Sequence, residues 1–186
     1  MHIFKDNKQG LSERYNEILN TPGYSDKIAL FVHDDVELED LFLYEKLANS
    51  PYSITGLAGA KSFNKQSPNL AWHLSSPVED YVGEVSHKDR NNNVWTSIFG
   101  KTNCRALILD GLFFACKIDD LKQKELEFDI NFNFHFYDIA FCLRANEKKV
   151  ACGVLPIKVI HHGLGDSMLT PEWNEANLKF KEVYCK

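Results

Sequence analysis

At 186 residues the chain has room for one domain around a continuous buried core. Apolar residues make up 44% and charged residues 25%, the proportions of a globular protein, which excludes a disordered chain. The formal net charge is −5 and the basic residues are scattered singly, which excludes a nucleic-acid partner.

His2–Phe4 is a short apolar run expected as a strand. Leu11–Leu19 has helical spacing, with Leu11, Tyr15, Ile18 and Leu19 on one side, and Asn20, Pro22 and Gly23 stop it. Ile28–Val32 (I-A-L-F-V) is a continuous apolar run, expected as a strand buried on both faces of a parallel sheet. It ends in His33, Asp34 and Asp35, and a short helix follows at Leu41–Leu47. From Pro51 to Gly100, short apolar pieces (Ile54–Ala60, Leu70–Leu74, Tyr81–Val85, Val94–Ile98) are separated by Ser, Asn, Gly and Pro; Lys88–Asn93 is a loop. The segment predicts loops and short strands, some antiparallel, within the same domain.

Ala106–Leu109 and Leu112–Cys116 flank Asp110-Gly111, which is either a hairpin turn or a bend in one strand. Tyr137–Ala145 has helical spacing, Val150–Ile160 is strand-like around Pro156, and Pro171–Tyr184 opens with a residue favoured at a first helical position. Helices alternating with apolar strands and then mixed strands argue for an α/β protein with a mixed sheet, a single domain over residues 1–186.

The five cysteines are odd in number and lack zinc spacing, and four sit in apolar runs, which predicts a reduced, cytoplasmic chain. No apolar stretch of about 18 residues exists to span a bilayer, so membrane contact is peripheral at most. The 13 Phe, 7 Tyr and 3 Trp suit a deep core and a pocket that stacks flat or sugar-like ligands.

Three motifs carry chemistry. V-H-D-D-V at 32–36 places acids past the end of a strand, where open α/β sheets bind ligands. Adjacent carboxylates there suit a hard divalent cation carrying a diphosphate. Alternatively, Asp34 to Asp40 cap the helix that follows. I-H-H-G-L-G-D at 160–166 offers histidine ligands ahead of a flexible turn, or a surface pair. In F-H-F-Y-D-I-A-F-C-L-R-A at 134–145, Asp138 is a lone carboxylate among apolar residues at a helix start, suited to act as a general base or as an N-cap. Arg144 pairs with Asp138 or with a phosphate, a structural ion pair being the default.

Together with L-S-E-R-Y-N-E-I-L and A-L-I-L-D-G-L-F-F-A-C-K, these motifs resemble, in order from Ile3 to Gly165, family-2-like bacterial glycosyltransferases of GT-A fold. The narrower likeness is to glucosyltransferases of capsule or cell-surface polysaccharide synthesis. The resemblance implies a GT-A-like mixed sheet flanked by helices, N-terminally shortened because the usual first strand–helix–strand unit is missing. It implies Mn²⁺ or Mg²⁺, a nucleotide-diphosphate sugar donor, and a saccharide or other hydroxyl acceptor. Asp35 then matches the metal-binding carboxylate of a D-x-D motif in which His33 replaces the first acid. Asp34 matches a carboxylate near the ribose or the metal's water shell. His161 or His162 matches the late metal histidine, and Asp138 the base of inverting members. Asp110 and Gly111 match a segment lining the acceptor side, and Asn16 an asparagine in the early helix, grouped with the donor-binding residues.

The alternative is a non-catalytic GT-A-derived module that binds a sugar or a protein; a phosphate-ester hydrolase would need more convergent His and Asp. Two geometric expectations follow. Asp35 and one of the two histidines should share a cleft with Asp138, and an uncovered strand edge near the N-terminus should favour a homo-oligomer or protein partner.

Overall fold

The computed structural model describes residues 7–163 and 170–186. The strand expected at His2–Phe4 and the turn residues Leu164–Asp166 lie outside the described residues. The elements in chain order are α1 (Leu11–Leu19), β1 (Ile28–Val32), β2 (Val36–Leu38), α2 (Leu43–Ala48), β3 (Ile54–Gly56), β4 (Ala58–Ala60), β5 (Tyr81–Lys88), β6 (Val94–Ile98), β7 (Cys104–Arg105), β8 (Ile108–Leu109), β9 (Phe113–Lys117), α3 (Ile118–Gln123), α4 (Tyr137–Glu147), β10 (Cys152–Val154), β11 (Val159–His161) and α5 (Pro171–Tyr184). One sheet runs β1-β9-β3-β10-β7; the other runs β2-β11-β5-β4-β8, with β6 paired to β5. β10–β3 and β11–β5 are parallel, and the other paired strands are antiparallel. The result is a mixed α/β fold, its mixed sheets flanked by helices.

The run Ile28–Val32 forms its strand, but not the expected parallel one. β1 pairs antiparallel with β9, Ile28 opposite Lys117 and Val32 opposite Phe113, and ends its sheet among the described residues. Only Ala29 and Phe31 are fully buried, the period-2 pattern of a strand with one core face. Leu70–Leu74 is a turn rather than a strand. Asp110-Gly111 is not a hairpin, because β8 pairs with β4 and β9 with β1 and β3.

Aromatic packing fixes the helices. Tyr15 of α1 stacks on Phe31 at 4.2 Å, and Phe128 stacks on Phe141 of α4 at 3.7 Å. Phe114 meets Phe141 edge-on, so strands and α4 share one apolar layer in which Phe113, Phe114 and Phe141 have no exposed surface. At α5, Thr170 caps the helix by accepting the Trp173 N–H at 3.1 Å. Phe180 then packs on Phe136 and Phe132.

Candidate active site

The chain passes between the two sheets at several points, among them His33–Asp35 between β1 and β2, Leu57 between β3 and β4, and Asp110–Leu112 between β8 and β9. Strand pairing ends at such passages, so backbone and polar side chains face an opening rather than a neighbouring strand. A cleft of about 670 Å³ lies along this seam, and Asp35, Asp110, Asp138 and His161 all line it. Five of the seven histidines, His33, His73, His87, His135 and His161, face it too.

One wall is built by β2 and β11. Their antiparallel register sets Val36 opposite His161, and the His162 N–H donates to the Asp35 carbonyl at 2.8 Å. Asp35 Oδ2 therefore meets His161 Nε2 at 3.2 Å. The convergence expected from parallel strand ends is thus produced by an antiparallel pair. Asp35 Oδ1 is buried and has no hydrogen-bond partner among the described residues, an acceptor that calls for an explanation. Gly163 closes over the pair: a Cβ there would overlap Asp35 Oδ2 and stand 2.7 Å from His161 Nε2.

Asp35 and His161 could together hold a divalent ion such as Mn²⁺ or Mg²⁺. Two cis ligands of an octahedral ion at 2.0–2.1 Å lie about 3 Å apart, close to the observed spacing. Among the described residues no group of three or more His, Cys, Asp or Glu forms a ligand set. An ion carried by substrate phosphates and water needs only one or two protein ligands.

His87 sits beside His161 in the parallel β5–β11 register, ring centroids 5.4 Å apart, and stacks on Trp95 at 5.3 Å. Burial first, and then its histidine neighbour, hold its pKa below the ordinary histidine value.

The same cleft is lined by Asp138, in the first turn of α4. Phe136 precedes that turn in the left-handed region at φ 62°, unusual for a bulky residue and a source of strain. Asp138 Oδ2 accepts the Gly111 N–H at 3.1 Å and Oδ1 the Ile139 N–H at 2.8 Å. Part of its surface opens to the cleft, and protein encloses the rest. That enclosure, then the charge of Asp110, push its pKa up to about 7, against the pull of the two backbone donors. Gly111 must be glycine for this contact, since a Cβ would overlap Tyr137 Oη and lie 3.1 Å from Asp138 Cβ. Tyr137 donates its hydroxyl proton to the Gly111 carbonyl at 2.8 Å, so His33 Nε2 is the donor in its 3.1 Å bond to Tyr137 Oη. Asp110 is held by Trp72 Nε1–H at 2.6 Å and the Leu112 N–H at 2.9 Å.

Asn16, Asp34 and His162 are not in the cleft. The Asn16 amide is used up in two bonds to the Phe128 backbone, donating to its carbonyl at 2.9 Å and accepting its N–H at 2.8 Å, which ties α1 to the chain ahead of α4. Asp34 is exposed on the turn between β1 and β2. His162 follows His161 and so points to the other face, where it meets Glu37 at 3.3 Å. Asp34 and Asp35 do not cap α2 either; Asp40 accepts the Phe42 N–H at 3.0 Å ahead of it. Arg144 stands 4.0 Å from Asp129 rather than pairing with Asp138.

Sequence reasoning passed over His87, Trp72 and Tyr137. His87 had a signal: Tyr81–Lys88 alternates, and period 2 sets Val85 and His87 on one face, the face that lines the cleft. Trp72 lies on an irregular turn and had none.

A family profile described as "Glycosyltransferase like family" matches residues 3–184. No curated protein matches the chain.

Proposed function

The chain belongs to the glycosyltransferase-like family, its mixed sheets flanked by helices are those of a GT-A-like fold, and we propose that it is a metal-dependent transferase moving a sugar from a nucleotide-diphosphate donor to a hydroxyl acceptor. The observation that carries this reading is the presence of two dissimilar acid sites in one cleft: Asp35 with His161, and Asp138 with Asp110 near it. Asp35 and His161 would hold Mn²⁺ or Mg²⁺, which when bound supplies Lewis-acid stabilisation of the departing diphosphate.

Asp138 takes the proton. A base must be ionised yet basic enough to accept, and a pKa of about 7 meets both demands near neutral pH. The Gly111 and Ile139 N–H groups hold the carboxylate in place, and the cleft leaves its open side to an acceptor hydroxyl. His33 and Tyr137 fix Gly111 from behind through its carbonyl. Cell-surface polysaccharide synthesis is the setting we propose for such a transferase, supported by the narrower likeness of its sequence motifs. Among the described residues no helix is long and apolar enough to cross a membrane.

The test is thermal. Uridine or guanosine diphosphate with Mn²⁺ should raise Tm, because a ligand that binds only the native state stabilises it, and Asp35→Asn should remove the rise. A rise of equal size in that variant overturns the assignment of the metal wall.

A further inference from the structure

The end of the cleft beside Asp138 has a chemistry of its own. Phe134, four residues before Asp138, lines the cleft with 53% of its surface exposed. The left-handed turn at Phe136 sends that ring into the core against Trp173 at 5.0 Å and leaves Phe134 at the rim. His135 lies next to Phe134, ring centroids 5.0 Å apart, and His73 adjoins Trp72, which holds Asp110. Burial draws both imidazoles below the ordinary histidine pKa, so at pH 7 each presents one donor and one acceptor and no charge. Among the described lining residues there is no Lys or Arg, while Asp110 and Asp138 are both acids.

We propose that this end binds an uncharged saccharide acceptor, its ring stacked on Phe134 and its hydroxyls bonded by His73 and His135. An exposed phenyl face attracts the polarised C–H groups of a pyranose and covers its apolar side. Neutral imidazoles suit hydroxyls, which both donate and accept. A uronic acid or phosphorylated acceptor would bring a negative charge beside Asp110 and Asp138 with no Lys or Arg among the described lining residues to meet it, a mismatch that disfavours it. Phe134 is therefore a specificity-determining residue.

The inference rests on the transferase reading, and direct binding separates the two. Methyl glucoside, methyl galactoside and methyl glucuronide are titrated into the full chain, followed by saturation-transfer NMR. At least one neutral glycoside should bind in the millimolar range (about −4 kcal/mol at 1 mM), and the glucuronide at least tenfold more weakly. Phe134→Ala should weaken the neutral glycoside about tenfold and Phe134→Trp should restore it, while both leave the thermal shift with uridine diphosphate and Mn²⁺ unchanged. Equal or tighter glucuronide binding, an unaffected Phe134→Ala variant, or absence of neutral binding overturns the inference. Glycoside binding without any nucleotide–metal shift leaves it standing and overturns the transferase reading instead.

Discussion

Replacing Asp138 by Asn should inactivate the protein and yet make it more stable at alkaline pH. The carboxyl titrates near 7 in the folded chain, against 3.8 for an ordinary aspartate. Below 3.8 both states are protonated and the group contributes nothing. As pH rises, the unfolded chain ionises freely while the folded chain resists, so stability is lost from pH 3.8 up to about 7 and stays lost above it. At 1.36 kcal/mol per pKa unit, the full loss is about 4 kcal/mol, of which about 3 kcal/mol falls between pH 5 and 8.5. Asn escapes that loss. It also places an amide NH₂ against one of two backbone N–H groups that the carboxylate satisfied, those of Gly111 and Ile139, at a pH-independent cost of roughly 1–3 kcal/mol.

The difference in unfolding free energy between variant and parent should therefore move in the variant's favour by about 3 kcal/mol from pH 5 to 8.5. Urea denaturation at four pH values across that range measures it. A difference that does not change with pH refutes the enclosure of Asp138. The transfer rate of the parent should rise through a midpoint near 7 as the base ionises, and Asn should lower it by roughly 10²–10⁴-fold.

Gly163→Ala should weaken Mn²⁺ binding at least about tenfold by pushing a methyl onto Asp35 and His161, read by paramagnetic titration with uridine diphosphate present; unchanged affinity would mean the ion sits elsewhere. His161→Ala should weaken the same binding by about 10–100-fold, whereas His162→Ala, whose ring faces Glu37, should leave it within about twofold. Asn16→Ala should cost about 1–3 kcal/mol of stability by orphaning the Phe128 N–H and carbonyl, measured by urea denaturation, with no change in nucleotide affinity.

The helices were legible because their signals are local. Leu11–Leu19 and Pro171–Tyr184 occupy the residues that spacing, Gly-Pro stops and an N-terminal proline marked out. Strand partners were not legible. A run such as I-A-L-F-V states that a strand is apolar, and only tertiary context, here Tyr15 packed on Phe31 and β9 paired antiparallel to β1, supplies the face that meets the core and the neighbouring strand. The same limit applies to the site. Asp35, Asp138 and the His161–His162 pair stood out as acids or histidines at element ends and Asp110 by resemblance, and the structure gathers Asp35, Asp110, Asp138 and His161 in one cleft. Asn16 stood out by resemblance to a family position, yet the helix register turns it to Phe128, where two backbone groups use its whole amide. A position match carries identity, and register decides the partner.

The charge of the cleft narrows how the proposed reaction proceeds. Its described lining holds Asp35, Asp110 and Asp138 and no Lys or Arg. A donor diphosphate adds further negative charge, and uncompensated like charges in a partly enclosed site cost several kcal/mol. Histidines are the basic side chains on these walls, and burial keeps His73, His87 and His135 neutral at pH 7. The proposed donor therefore has no protein cation among these groups to meet its charge. Asp35, whose Oδ2 lies 3.2 Å from His161 Nε2 and whose Oδ1 has no partner among the described residues, is the place where a divalent ion would supply that compensation. Binding of the diphosphate and binding of the ion are then a single event. Each should raise the other's affinity by the same factor, as linkage requires.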